Sequence, residues 1–132
     1  MGRPSKLSIH PRNMALTTLK KHKRPMSAYD LLAKLSPYGV KGPPVVYRAL
    51  ESLTKEGLVH KVQALNSFVA CNCAPDHSHS LSVLTVCHGC EQVEELHDHG
   101  VIRQLESLKN RGVTLVPNAV IELPIICAKC AA

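Results

Sequence analysis

Four cysteines form two identical short motifs, Cys87-x-x-Cys90 and Cys127-x-x-Cys130. A Cys-x-x-Cys turn directs both sulfur atoms into one small volume, and four thiolates complete a tetrahedral site for Zn²⁺ that can supply folding energy directly. The motifs therefore predict a structural zinc site, provided that the intervening fold brings them together. The alternatives are free buried cysteines or a redox dithiol. A redox motif is expected at a helix N-terminus, whereas the first motif here lies between two predicted strands.

A second, looser group combines His60, Cys71 and Glu95 with the pair His77-x-His79. The first two residues fall on the strands of a predicted hairpin, where positions distant in sequence become neighbours. Sulfur, imidazole and one carboxylate together favour zinc over manganese or magnesium, and they leave copper, cobalt and iron open. The alternative is that His60 and Cys71 are ordinary hairpin residues and that His77 and His79 are solvated.

Positive charge is concentrated in the first half of the chain. Residues 1–62 hold 12 basic and 3 acidic side chains, whereas residues 63–132 hold 4 basic and 7 acidic ones and all six cysteines. Lys and Arg neutralise DNA phosphates, and an Arg in the major groove can pair with guanine. A charge run is usually only a solvated face, but this one coincides with a helix-turn-helix pattern. The sequence therefore predicts DNA binding, with five candidate contacts: Tyr29, Tyr47, Arg48, Lys41 and Lys55.

The elements that must position these residues follow from apolar spacing and turn residues. A helix is predicted to end in the basic cluster at 20–24, and a second to cover 28–35 behind the capping residue Ser27. A third is predicted from Pro44 to Gly57. Strands predicted at 58–62 and 67–71 complete a winged helix-turn-helix.

The second half is predicted to mix strands with one helix. After a polar hinge, the pattern predicts strands at 81–86 and 91–96 and a helix over 101–108, closed by Gly112. A last strand is predicted over 113–123, with a break at its Pro-Asn pair. The fold class expected from both halves is therefore mixed α/β, of the α+β type.

The cellular location is predicted from what the sequence lacks. The basic residues at the N-terminus precede no apolar core of signal-peptide length. No apolar run approaches the roughly 20 residues of a membrane-spanning helix. We therefore expect a cytoplasmic protein without membrane association. Because disulfides are rare in a reducing compartment, the cysteines are expected to be ligands or free thiols.

These motifs together resemble those of the ferric uptake regulator (Fur) family of bacterial metal-responsive repressors, and most closely its zinc uptake regulator branch. The resemblance covers roughly residues 9–130. It rests on His79, on both cysteine motifs and on four segments: Ser27-Ala28-Tyr29-Asp30-Leu31-Leu32, Pro43-Pro44-Val45-Val46-Tyr47-Arg48-Ala49-Leu50, Gly57-Leu58-Val59-His60-Lys61-Val62 and Asn66-Ser67-Phe68-Val69-Ala70-Cys71. The first three segments, in this order, are specific to the family. Cysteine at 71 with histidine at 60 is similar to the zinc branch.

The resemblance implies a homodimer that represses zinc-uptake genes when zinc is plentiful, by binding AT-rich operators with two-fold symmetry. It implies a winged-helix DNA-binding domain at 1–71, a hinge at 72–80, and an α/β dimerisation and zinc-binding domain at 81–132. Two zinc ions per chain are implied. The structural ion would be bound by Cys87, Cys90, Cys127 and Cys130, and the regulatory ion by His60, Cys71, His79 and Glu95.

The sequence departs from the family pattern in three places, the first of which is a short basic segment where the family usually has an additional helix before residue 11. Val45 stands where the family usually has Thr, and the stretch from Cys71 to Cys87 is one residue longer than is common in the branch. His77 could therefore replace His79, and Cys73 is a competing ligand. The nearest alternative is a Fur-family sensor of iron, manganese or peroxide, and one of a different class is a small zinc-binding dithiol oxidoreductase. No Ser-His-Asp order or glycine-rich phosphate loop supports an enzyme.

Overall fold

The computed structural model describes residues 10–72 and 81–132. Its mixture of helices and small sheets confirms the predicted α+β class. The elements are α1 Pro11–His22, α2 Ala28–Leu35, α3 Pro43–Lys55, β1 Val59–Val62, β2 Ser67–Ala70, β3 Leu81–Cys87, β4 Val93–Leu96, α4 His99–Glu106, β5 Ala119–Ile125 and α5 Ala128–Ala131. Most of the predicted hinge lies outside the described residues, as do Cys73, His77 and His79.

The three helices of the first half begin and end where the local sequence predicts. Ser27 caps α2 through a reciprocal pair of hydrogen bonds, in which the Asp30 N–H donates to Ser27 Oγ at 3.0 Å and the Ser27 N–H donates to Asp30 at 3.1 Å. Two prolines open α3, where a missing N–H is harmless, and Gly57 follows the helix in the left-handed conformation with a φ of 76°. These local signals fix the length of α3.

A hydrophobic core joins the three helices to the hairpin. α3 contributes Val46, Leu50 and Leu53, which pack with buried side chains of α1, α2 and the strands. Full burial of each such side chain contributes roughly 1.5–3 kcal/mol relative to exposure. Because one face of α3 is anchored in this core, its opposite face is presented to solvent in a fixed orientation.

The predicted hairpin is confirmed. β1 and β2 are antiparallel, with His60 opposite Val69, and a turn over 63–66 connects them. Past the last pair, the Cys71 N–H donates to the Leu58 carbonyl at 2.8 Å, so the hairpin stays closed at its base. This places Cys71 near the same end of the hairpin as His60. We call the hairpin, residues 59–70, the wing.

The second half is built on a three-stranded sheet in the order β4-β3-β5. β3 pairs antiparallel with β4, which puts Leu84 opposite Glu95, and parallel with β5, which puts Cys87 opposite Ile125. The parallel pair requires a crossover, and α4 lies in it. The central strand β3 is buried along most of its length.

The last strand differs from its prediction over 113–123, because β5 begins only at Ala119. Pro117 has no N–H for a ladder, and Asn118 takes a left-handed conformation with a φ of 57°, so the chain turns there. The strand continues through Pro124, which is tolerated because among the described strands β5 pairs only with β3. The prediction was wrong for residues 113–116, whereas the predicted break at Pro117 and Asn118 is confirmed.

The two halves are in apolar contact. Val62, Leu65 and Val69 of the wing and its turn pack with side chains of the second sheet: Leu84, Val86, Val93 and Val120. Across residues 10–72 and 81–132, no helix is both long enough and apolar enough to traverse a bilayer.

Candidate metal centres and nucleic-acid interface

The structure brings the four cysteines of the two motifs together. Cys87 ends β3, and Cys127 follows β5, its parallel neighbour, so the strand register carries the second motif to the first. The four sulfur atoms all lie within 4.8 Å of one another. The sulfurs of Cys90 and Cys127 are 3.9 Å apart, close to the edge of about 3.8 Å of a tetrahedron with Zn–S bonds of about 2.3 Å.

Backbone groups favour a thiolate at Cys87. The N–H groups of Gly89 and Cys127 each donate to Cys87 Sγ at 3.3 Å. Hydrogen bonds from Cys127 and Cys90 contribute most, outweigh the opposing effect of burial, and lower the pKa of Cys87 to about 6. The residue Cys87 is nevertheless only 1% exposed, so a substrate disulfide cannot reach its sulfur. The arrangement suits a metal ligand better than a redox nucleophile.

Cys130 shows the opposite effect. Hydrogen bonds with the other three sulfurs raise the pKa of Cys130 to about 12, and the bond with the sulfur of Cys127 contributes most. Four thiolates this close repel one another, so all four lose their protons only when a cation lies among them. The site also has no spare room, because a Cβ added to Gly89 would lie 2.7 Å from Cys130 Sγ. The donor set and its spacing fit a tetrahedral zinc ion.

A second cluster joins the wing to the other half of the chain. His60 lies on β1, Cys71 follows β2, and Glu95 lies on β4. One ligand atom from each residue lies within 4.8 Å of the others. Glu95 Oε2 is 3.5 Å from His60 Nε2 and 3.8 Å from Cys71 Sγ, distances that suit two edges of a tetrahedral site. Nitrogen, sulfur and oxygen donors therefore converge from both halves.

The environment of His60 favours the protonated imidazole when no metal ion is bound. Burial alone would lower the pKa of this imidazole, but hydrogen bonds with Cys71 and Glu95 and the charge of Glu95 outweigh burial and raise the pKa to about 9. Glu95 is itself oriented, since its Oε1 accepts the Asn72 N–H at 3.1 Å and its Oε2 faces the cluster. A cation and the proton on His60 thus compete for one position.

Sequence patterns missed two residues beside these clusters. Ser82 is buried on β3, and its Oγ lies 3.4 Å from His60 Nε2. A small polar residue near the start of a largely apolar strand was the available signal. Arg24, beyond the end of α1, donates to the Cys90 carbonyl at 3.1 Å, and no local pattern indicates that contact. The predicted fourth ligand, His79, and the competing His77 and Cys73 lie outside the described residues.

The five candidate DNA contacts are all exposed, and they lie on three parts of the first half: Tyr29 on α2, Tyr47, Arg48 and Lys55 on α3, and Lys41 in the loop before it. Tyr29 is 62% exposed and Tyr47 is 46% exposed, which is unusual for such large side chains. Tyr47 and Arg48 lie near the start of α3, opposite its buried face. Lys55 is the last residue of that helix, about two turns further on.

The chain is similar to known proteins and solved structures. Residues 6–122 match the Ferric uptake regulator family. The Zinc uptake regulation protein of Escherichia coli K12 is 37% identical over 106 residues, which make up 80% of this chain and 61% of that relative. The chain thus spans less than two thirds of the length of that curated relative.

Two solved structures share the fold at similar identity. The crystal structure of holo XcZur is 35% identical, with a TM-score of 0.76 over 93% of this chain and 85% of that one. A zinc uptake regulator complexed with zinc and DNA is 33% identical, with a TM-score of 0.77 over 93% of this chain and 82% of that one. Since the family match covers most of its length, the chain belongs to the ferric uptake regulator family.

Proposed function

We propose that this chain is a zinc-responsive, sequence-specific DNA-binding repressor of zinc-uptake genes, acting as a homodimer with zinc as corepressor. The observation that carries the proposal is the cluster of His60, Cys71 and Glu95, which joins the wing to β4 of the second sheet. The names of its relatives support the same function, because one is a zinc uptake regulation protein and another was solved with zinc and DNA.

The cluster can couple metal to DNA binding because its donors come from different halves. His60 and Cys71 move with the wing and α3, whereas Glu95 moves with the second sheet. Bound Zn²⁺ would supply the charge that lets these donors converge without their protons. We call the arrangement in which the three donors converge the closed arrangement. To raise its share from 1% to 99% of molecules, Zn²⁺ must bind it more tightly than the open arrangement by about 5.5 kcal/mol. Ligands that meet only in the closed arrangement provide such a preference.

We propose His79 as the fourth ligand of this regulatory site, with His77 and Cys73 as the competing candidates. The four sulfur atoms of the two cysteine motifs would hold a second, structural zinc ion, which makes two per chain. The proposed division of the chain is a DNA-binding domain at 1–71, a hinge at 72–80 and a dimerisation domain at 81–132.

An unpartnered surface of the second half supports the homodimer. α4 places Val101, Ile102 and Leu105 along one side, and none of its residues is buried within the chain. β5 has a free edge among the described strands, and the large apolar side chains of Leu123 and Ile126 are 41% and 53% exposed. Apolar surface beside an unpaired strand is typical of a protein interface.

A two-fold dimer would present two copies of α3 to one face of DNA, about one helical turn apart. Tyr47 and Arg48 would enter the major groove, and Tyr29, Lys41 and Lys55 would contact the backbone on either side. We propose a two-fold symmetric operator on the same grounds, since the symmetry of the site mirrors that of the dimer, and we propose that it is AT-rich because the family resemblance implies it.

Replacing Cys71 by Ser should abolish the stimulation of DNA binding by Zn²⁺, because the regulatory cluster loses its only described sulfur. The probe is a fluorescent duplex that the wild-type chain selects from a random-sequence pool in the presence of Zn²⁺. Its binding is followed by anisotropy at buffered concentrations of Zn²⁺, Fe²⁺ and Mn²⁺. The wild type should respond at the lowest free concentration to Zn²⁺.

The control for that variant is Asn72→Ser, at the exposed position beside it, which keeps the backbone N–H that Glu95 accepts and should keep the response. Retained stimulation in Cys71→Ser, together with an unchanged circular dichroism spectrum, would contradict the role of Cys71. A stronger response of the wild type to Fe²⁺ or Mn²⁺ would contradict zinc as the corepressor.

Replacing Cys90 by Ser should have a different effect, because it removes one ligand of the structural site. We expect the loss of one tightly held zinc per chain after dialysis and a fall in Tm of about 10 °C, which corresponds to roughly 3 kcal/mol. Cys71→Ser, assayed in parallel, should keep this zinc. Full zinc content and an unchanged Tm in the Cys90 variant would refute a structural tetrathiolate.

Zn²⁺ affinity at the regulatory site should fall as the pH falls, because the metal must displace the proton of His60. With the pKa of His60 near 9, affinity should drop about tenfold for each pH unit below that value, from this proton alone. Competition with a chelator of known proton affinity, between pH 6.5 and 8.5, measures the slope. A flat profile would show that His60 is not protonated in the metal-free site.

Replacing Arg48 by Ala should reduce the preference for the selected duplex over random DNA by about 1–3 kcal/mol, because a bidentate contact to a base is lost. Anisotropy titrations on both duplexes at fixed salt measure the preference. Arg111→Ala removes the same exposed side chain from the second half and should leave the preference intact. Equal losses on both duplexes for Arg48→Ala would limit Arg48 to phosphate contacts.

A further inference from the structure

Besides the metal cluster, a carboxylate on β5 contacts the tip of the wing. Glu122 accepts hydrogen bonds from two consecutive backbone N–H groups, those of Gln63 and Ala64, and the distance from Ala64 N to Glu122 Oε1 is 3.0 Å. Both N–H groups belong to the turn that joins β1 to β2. Hydrogen bonds to an ionised carboxylate are roughly twice as strong as those between neutral groups.

A second residue of the same segment contacts the end of α3. Asn118, the residue before β5, donates from Nδ2 to the carbonyl of Lys55 at 2.6 Å. The last carbonyls of a helix have no partner within the helix, so this amide satisfies one of them. The approach is close, because a Cβ added to Gly57 would lie 3.0 Å from Asn118 Oδ1. The turn before β5 is therefore docked on the helix that is proposed to read DNA.

These contacts and the metal cluster hold the first half at separate places. The cluster acts near the base of the wing through His60 and Cys71, whereas Glu122 acts at its tip and Asn118 acts at the end of α3. A single point of attachment leaves a rigid body free to rotate about that point. The apolar packing between the wing and the second sheet keeps the two halves together, but hydrophobic contact is non-directional and does not fix their relative angle. Directional bonds at a second and a third point fix the angle.

We infer that Asn118 and Glu122 are positioning residues, which set the angle of α3 relative to the second sheet so that metal binding at the wing produces a DNA-competent dimer. We call this pair the β5 latch. The inference rests on the proposed function, and it adds two residues that bind neither metal nor DNA. Without the latch, metal still draws the wing to β4, but α3 is presented at a range of angles.

The test uses Glu122→Gln in the full chain. The amide keeps the size of the side chain but replaces one acceptor oxygen by an NH₂ group, which cannot accept an N–H. Stimulation is the ratio of two affinities for the selected duplex. The first is measured at saturating Zn²⁺, and the second is measured on protein that retains only the structural zinc ion. We expect this ratio to fall about tenfold, the effect of one or two lost charge-assisted hydrogen bonds. Zinc content should stay at two ions per chain.

A second variant, Asn118→Gly, removes the amide and keeps the left-handed backbone, which glycine adopts freely. It should reduce the ratio in the same direction. The exchange of the Gln63 and Ala64 amide protons, followed by NMR, should accelerate in Glu122→Gln, because these exposed N–H groups lose their acceptor. A purely structural role would instead lower the zinc content, or would lower the Tm without changing the stimulation ratio.

The matched control is Glu94→Gln, which removes the same charge from β4, the other edge of the sheet. Loss of a negative charge strengthens attraction to DNA in general. The control should therefore leave the stimulation ratio unchanged, with DNA affinity equal to or slightly above that of the wild type. The latch thus predicts that Glu122→Gln weakens zinc-stimulated DNA binding, whereas the loss of a negative charge alone would strengthen DNA binding.

The inference is overturned if both latch variants show the stimulation of Glu94→Gln while the two amides exchange faster, because the contacts would then form without positioning α3. It is also overturned if the amides of Gln63 and Ala64 exchange equally fast in the wild type and in Glu122→Gln. A wild-type chain that shows no stimulation by Zn²⁺ would refute the proposed function instead.

Discussion

The position of the buried strand β3 determines the rest of the structure. Its apolar side chains pack beneath the wing, its antiparallel neighbour carries Glu95, and its parallel neighbour leads to the second cysteine motif. A slip of one residue in either register would turn Glu95 or Cys127 to the other face of the sheet. Both metal clusters therefore depend on hydrogen-bond registers that the apolar core of β3 specifies.

The two clusters near opposite ends of β3 differ in their chemistry. At its end, four sulfur atoms lie within 4.8 Å of one another, and their mutual repulsion makes the cluster dependent on a cation. Beside its first residues, the imidazole of His60 already has a carboxylate partner at 3.5 Å and carries a proton instead. The tetrathiolate is suited to permanent occupancy. The mixed cluster is suited to reversible exchange of its metal ion with the cell, because without metal it is stabilised by the pair of protonated His60 and Glu95.

Local patterns in the sequence predicted most of the elements and singled out the cysteine motifs that the structure brings together, because caps, turns and Cys-x-x-Cys motifs depend on near neighbours. The capping pair at Ser27, the turn at Gly57 and the two Cys-x-x-Cys motifs are of this kind. Asn118 and Glu122 could not be predicted as contacts, since their partners are 63 and 59 positions away. Glu122 appears in the sequence as an ordinary polar residue of a strand. Its contacts follow only from the way in which the wing packs on the sheet.

The long crossover between β3 and β5 has a consequence for the order in which the molecule forms. Cys87 and its neighbour Cys127 are 40 positions apart, and the ribosome completes the helices and the wing well before it reaches β5. Contacts between distant residues form slowly, because a long loop must close first. During synthesis, the helical half is therefore expected to fold while β3 still lacks its parallel partner. Its apolar side chains stay without their final cover until translation has passed β5, which leaves the nascent chain open to aggregation at that stage.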